Sequence, residues 1–131
     1  MNRKNNLKAF SLRQEGNKLY NNKEFLASLL KYNESLCNSY QSSDHRGHAF
    51  ANRSAVYFEM KLFSKSLSNI ELALQNHYPD NCKETLLLRK EKCKKFLNNT
   101  KHTIDNQKSF FQLSFPRNKK IHFISGASYL A

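Results

Sequence analysis

The sequence predicts an all-α fold built from repeated helical hairpins, and three observations carry that prediction. The chain resembles itself: displaced by 38 residues, Leu19 falls on Tyr57, Tyr20 on Phe58, Phe25 on Phe63, Ser28 on Ser66 and Leu29 on Leu67. The same displacement sets Tyr32 on Ile70, Ser35 on Ala73, Leu36 on Leu74 and Tyr40 on Tyr78. Within each copy the apolar residues recur at helical spacing. Three Gly and two Pro among 131 residues are too few punctuators for a turn-rich β fold. The displacement reads as a hairpin repeat of about 34 residues with about four added in a loop. The polar run Ser42-Ser43-Asp44, followed by His45, is the place for them.

Taken in order, Leu12, Leu19 and Tyr20 lie near one face of a first helix, about 6–21. The polar break Asn21-Asn22-Lys23 ends it, and Leu29, Tyr32 and Leu36 mark a second helix over about 24–38. Val56, Tyr57 and Met60 belong to a third helix over about 45–60, and Leu67, Ile70, Ala73 and Leu74 to a fourth over about 63–76. Ser28, Ser35, Ser66 and Ala73 are small enough to let neighbouring helices approach. Tyr78-Pro79 stops the fourth helix, because proline cannot continue it. A last helix over about 81–98 follows, and Asn98-Asn99-Thr100-Lys101 reads as a polar linker.

Composition bounds the function. The formal net charge of +12 comes from 22 Lys plus Arg against 10 Asp plus Glu, a field that favours acidic partners. Cys37, Cys82 and Cys93, odd in number and irregular in spacing, do not suit a disulfide framework. Buried or half-buried free thiols in a reducing compartment, cytoplasmic or nuclear, are expected instead. Nor do three scattered cysteines form the paired ligands of a structural zinc site. No apolar run approaches the roughly 20 residues of a membrane span, and Met1 to Asn6 is polar and basic, unlike a signal peptide.

The residues Arg13-Gln14-Glu15-Gly16-Asn17-Lys18-Leu19-Tyr20, followed by Phe25 and Tyr32, resemble a first tetratricopeptide repeat of the co-chaperone kind. Ala51-Asn52-Arg53-Ser54-Ala55-Val56-Tyr57-Phe58, followed by Phe63, resembles a second. The resemblance implies that small residues seat the two helices of each repeat, Gly16 in the first copy and Ser54 in the second. A third copy is cut short: Arg89 and Lys90 fit, but Glu91 and Lys94 stand where small and aromatic residues are expected. The helix over 81–98 is thus the polar end helix that a repeat stack needs. The expected organisation is a tetratricopeptide domain over 7–98, of two repeats plus end helix, and a linker or tail over 99–131.

A narrower resemblance covers roughly residues 9–124. Tyr32 to Leu36, Ala51 to Met60, Asn69 to Leu74 through Tyr78-Pro79, and the tail Phe110 to Pro116 through Ile121 to Ile124 are similar to the repeat-bearing branch of the SET and MYND protein-lysine methyltransferases. That family implies methyl transfer from S-adenosylmethionine and a zinc-bound MYND module. Neither the dense Cys/His cluster nor a glycine-rich cofactor loop is present, since Gly16, Gly47 and Gly126 stand alone. The chain therefore reads as an amino-terminal portion of such a protein. S-adenosylmethionine and zinc are expected only in other parts of the family's chain, and no catalysis is expected from this one by itself.

The co-chaperone resemblance also implies a clamp for a C-terminal carboxylate, on the first helix of each repeat. Arg13 and Asn17 match its first-repeat basic and amide members, Asn52 the second-repeat Asn, and Arg89 the third-repeat Arg. The lysine expected four residues before Arg89 is Thr85, with Lys83 and Lys90 the nearest substitutes. Arg13 and Asn17, four apart, share a helix face. Charge-assisted bonds of this sort are roughly twice as strong as neutral ones, and Arg adds bidentate geometry. The implied partner is a protein or peptide with an acidic C-terminus, such as a heat-shock chaperone tail, or the family's own catalytic region. The competing structural reading has Asn17 and Asn52 orienting the repeat backbone and Arg13 and Arg89 solvated.

Other readings are weaker. Glu15, Glu24, Glu34, Glu59 and Glu71 read as helix-surface charges, not as an acid/base pair. His45 and His48 lack a third metal ligand nearby, and nothing orients His77 as a base for Cys82. Nucleic-acid binding through a basic stripe of Lys90, Lys94 and Lys95, with phosphate contacts dominating, lacks a recognisable motif. Phe110, Phe111, Leu113, Phe115, Ile121, Phe123 and Ile124 make the tail too apolar for a solvated linker.

Overall fold

Helix starts and stops are written in local chemistry. In the computed structural model, which describes residues 4–40 and 43–114 with side chains to Asn99, Asn5 opens α1 (Asn6–Asn21) by accepting from the amides of Leu7 and Lys8. Ser43 caps α3 (Asp44–Glu59) through the amide of His45, and Asp44 adds a negative charge to its first turn, where the helix dipole favours one. α2 (Phe25–Asn38) and α4 (Phe63–Gln75) complete two hairpins. A short 3-10 turn, Asp80–Cys82, leads to α5 (Lys83–Ser114). No strand occurs among the described residues.

The internal repeat is reproduced bond for bond. Lys23 and Lys61, 38 residues apart, both take a left-handed conformation, with φ of 63° and 61°. In the first turn the Lys23 amide donates to the Tyr20 carbonyl and the Glu24 amide to that of Leu19. In the second, Lys61 donates to Phe58 and Leu62 to Tyr57. Both are helix C-terminal Schellman caps, usually closed by glycine. An aromatic pair staples each turn: Tyr20 with Phe25 at 5.9 Å and Phe58 with Phe63 at 5.4 Å between ring centroids.

Small residues seat the hairpins as expected. Buried Ser28 donates to the Gly16 carbonyl at 2.8 Å, and its equivalent Ser66 donates to the Ser54 carbonyl, also at 2.8 Å. Ser35 donates to the Ala9 carbonyl at 2.6 Å. A Cβ on Gly16 would lie 2.5 Å from Cε1 of Tyr32, so the ring packs flat on α1 backbone. In the second hairpin the shorter Ile70 replaces Tyr32, and a serine is tolerated at 54. These all-helical, packed hairpins are of the tetratricopeptide type.

The core runs through both hairpins. Tyr32, Val56 and Ile70 are fully buried, and Leu86 and Cys93 of α5 join the cluster of Ala51, Ile70 and Ala73. Each large apolar side chain so buried stabilises by about 1.5–3 kcal/mol. Phe96 stacks on Phe63 at 4.5 Å. Of the three free thiols, Cys93 is buried and Cys82 half-buried, but Cys37 is exposed. It departs from the expected burial because it follows Leu36 and so leaves the packed face of α2.

The last helix is longer than its sequence suggests. Expected to end near 98, it continues to Ser114. Asn and Thr are only moderately poor helix formers, and no glycine or proline intervenes before Pro116. The chain divides into two compact units, Met1–Asn98 and Asn99–Ala131. The apolar tail residues Phe110, Phe111, Leu113, Phe115, Ile121, Phe123 and Ile124 lie outside the residues whose side chains are described.

Candidate peptide-binding groove

The inner faces of α1, α3 and α5 are joined by contacts at one constant offset. Phe10 meets His45 ring to edge at 6.2 Å, Asn52 meets Asn17 at 3.0 Å, and Arg89 meets Ser54 at 3.0 Å. Each pair is 35 residues apart, and a constant difference means that α1 and α3 run parallel. All four residues matched to the carboxylate clamp fall on or beside this surface.

Arg13 lies half-buried, its guanidinium 5.3 Å from the Phe10 ring centroid. Its Nε is buried and has no hydrogen-bond partner. Burial lowers its pKa, and Asp44, Tyr32 and Tyr78 oppose that shift. Asn17 Oδ1 accepts two hydrogen bonds, from the Tyr32 hydroxyl at 2.6 Å and from Asn52 Nδ2 at 3.0 Å. With its oxygen so engaged, Asn17 keeps its Nδ2 as the donor edge. Arg89 donates from Nη1 to Ser54 Oγ at 3.0 Å and to the Ala51 carbonyl at 3.5 Å.

Arg13 and Arg89 are thus not the freely solvated pair of the competing reading. Both are half-buried, and neither makes an ion pair among the described residues. Asn17 accepts from both Asn52 and Tyr32, and not from repeat backbone. Thr85 lines a cleft with Tyr20, Ala55, Glu59 and Arg89. The nearest lysines do not reach it: Lys83 pairs with Asp80 at 2.5 Å and Lys90 with Glu71 at 3.0 Å. Lys92 lines the cleft instead. Its position, three beyond Arg89 and seven beyond Thr85, is the helical signal that would have found it.

His48 is a second groove residue absent from the sequence-derived set. Its ring lies 5.3 Å from that of Tyr78. Its pKa is lowered, mainly by burial and then by Arg13. Its spacing of four to Asn52 repeats that of Arg13 to Asn17, which was legible. Tyr78 was not, because its place depends on Gly47. A Cβ there would lie 2.5 Å from the Asn76 carbonyl oxygen and 3.0 Å from the Tyr78 nitrogen. The missing side chain lets the loop after α4 cross α3 and set Tyr78 over His48.

The remaining candidates separate. His45 packs on Phe10 while His48 packs on Tyr78, and no group of three His, Cys, Asp or Glu suited to a metal occurs among the described residues. In the basic stripe of α5, Lys90 is paired with Glu71 and Lys94 with Glu91. No helix among the described residues is long and apolar enough to cross a membrane.

Comparison with known proteins places the chain beside lysine methyltransferases. No protein-family model matches it, and no solved structure does. It is 31% identical over 85 residues to protein-lysine N-methyltransferase SMYD4 of Danio rerio, covering 65% of this chain and 11% of that protein. It is 28% identical over 81 residues to the Homo sapiens protein of that name and 27% identical over 81 residues to that of Mus musculus. These two matches each cover 62% of this chain and 10% of the relative. The chain thus spans about a tenth of the length of the curated relatives it matches. The similarity to SET and MYND methyltransferases suggested by Ala51 to Met60 is therefore to SMYD4.

Proposed function

We propose that the repeat domain recognises a protein partner by its free C-terminal carboxylate, in the groove formed by α1, α3 and α5, and that it serves a protein-lysine methyltransferase in doing so. The observation that carries this reading is the pair of half-buried guanidinium groups, Arg13 and Arg89, neither of which forms an ion pair among the described residues. A buried charge without a partner is costly, and a ligand carboxylate would relieve it. Asn17 Nδ2 and the second proton of Asn52 Nδ2 are free to donate to the same oxygens. Capture of a terminal carboxylate is an established mode of peptide recognition.

The net charge of +12 favours an acidic sequence leading to that carboxylate. An acidic chaperone tail is one ligand of this chemistry. The reading assigns recognition to this chain and methyl transfer, with S-adenosylmethionine and zinc, to other segments of the SMYD4-like architecture. Free thiols at Cys37, Cys82 and Cys93 suit a reducing compartment, the cytosol or nucleus.

Calorimetry tests it directly, with a short acidic peptide carrying a free C-terminus, the same peptide amidated, and the Asn52→Ala variant. Micromolar affinity, on the order of −8 kcal/mol, is expected for the free acid with wild-type chain. Amidation and Asn52→Ala should each weaken it at least tenfold. Binding indifferent to both changes would refute the clamp and favour an internal contact with a catalytic region.

A further inference from the structure

The side of α3 turned away from the groove carries a continuous ladder of cations and rings. Arg46 Cζ lies 5.7 Å from the Phe50 centroid, and Arg53 Cζ lies 5.9 Å from that ring and 5.8 Å from Tyr57. Lys65 Nζ of α4 covers Tyr57 at 5.8 Å. Groove residues occupy positions 48, 52, 55 and 59, and the ladder on α3 occupies 46, 50, 53 and 57. Two residues out of step is about 200° around a helix, so the two surfaces face opposite ways.

The cations are held in place. Arg46 Nη1 donates to the Leu36 carbonyl at 3.3 Å and Arg53 Nη2 to the Tyr57 hydroxyl at 3.4 Å. Arg53 Nε is buried without a partner. Glu34, on the neighbouring helix, is taken by Lys31, and Arg46, Arg53 and Lys65 form no ion pair among the described residues. Positive groups already fixed by stacking lose little freedom when an anion arrives.

We propose that this strip is a second docking site, which takes an extended acidic segment of a partner protein with carboxylates three residues apart. Seven helical residues separate Arg46 from Arg53, about 10.5 Å along the axis. Three residues of polyproline II chain complete one turn and advance about 9 Å, so carboxylates three apart share one face and reach both guanidinium groups. Single-stranded nucleic acid is the poorer fit. Base stacking needs an open ring face, whereas Phe50 is 8% exposed and each ring already has two cations against it.

The test uses the full chain and an N-acetylated, C-amidated peptide with glutamates three apart, which offers the groove no terminal carboxylate. Amide signals of Arg46 to Tyr57 and of Lys65 should shift in 1H–15N spectra. Arg46→Gln with Arg53→Gln should weaken binding about tenfold or more, and Asn52→Ala should leave it unchanged. Lys65→Gln, at an exposed position, should weaken it several-fold with the melting temperature retained, which separates binding from folding. No shift at millimolar peptide, shifts confined to the groove, equal binding of a glutamine-substituted peptide, or tighter binding of an oligouridylate would each overturn the proposal. Because the probe lacks a free carboxylate, failure of the groove reading leaves this result standing, and the reverse holds too.

Discussion

Asn52 Nδ2 donates to Asn17 Oδ1 at 3.0 Å, while Tyr32 donates to the same oxygen at 2.6 Å. One acceptor atom therefore ties together α1, α2 and α3. It also sets the direction of the Asn17 amide, whose nitrogen is left for the groove. Packing and the proposed recognition share this one residue, and the two roles can be separated by mutation.

Tyr32→Phe removes the hydroxyl and leaves Asn17 with one partner, at a cost of about 1 kcal/mol in urea unfolding. Its effect should not add to that of Asn52→Ala, because both act on one oxygen. A double-mutant cycle with zero coupling energy would show that the shared acceptor is not an energetic unit.

Gly16→Ala is expected to destabilise by about 1–3 kcal/mol through overpacking, since its Cβ would fall 2.5 Å from Tyr32 Cε1. Adding Tyr32→Ile, the pairing that the second hairpin uses with Ser54, should recover part of the loss. Chemical denaturation of both variants decides this, and a harmless Gly16→Ala would mean that the ring can shift aside.

Lys23→Gly and Lys61→Gly should each stabilise the fold by about 0.5–1 kcal/mol, because both lysines hold positive φ where glycine has no steric penalty. Glycine also gains freedom in the unfolded chain, so the net effect sits at the lower end of that range. The sites lie in separate turns and the gains should add. Thermal melts of the two single variants and the double measure it.

His48 supplies a pH dependence with a definite sign. Its pKa is depressed below the ordinary value of 6.5 by burial, then by Arg13, so the unfolded chain binds the proton more readily. Asp44 pulls the other way and His45 adds to the depression. Stability is fully present above pH 6.5 and falls as pH drops below it toward the folded pKa. Melting temperatures of wild type and His48→Asn between pH 7.5 and 5 should diverge in slope over that window. Parallel curves would remove His48 as the cause.

The helical hairpins were legible because their information is periodic and local. Apolar residues at helical spacing, a 38-residue displacement and small residues at Gly16, Ser28 and Ser66 suffice to place α1 to α4 within one residue at each end. The clamp candidates could be located on first helices for the same reason. Tertiary structure decided what those candidates touch: that Asn17 and Asn52 meet, that Lys83 and Lys90 are bound by acids, and that His48, Tyr78 and Lys92 border the groove. It also lined Arg46, Arg53 and Lys65 along two rings, whereas the run of α5 past 98 to Ser114 follows local helix propensity that the polar Asn98-Asn99-Thr100-Lys101 stretch obscured. Period along one helix follows from backbone geometry, whereas partners between helices depend on the angle and offset at which packed helices settle. That offset, 35 residues between neighbours against 38 between equivalents, is set by the side-chain volumes of the whole core.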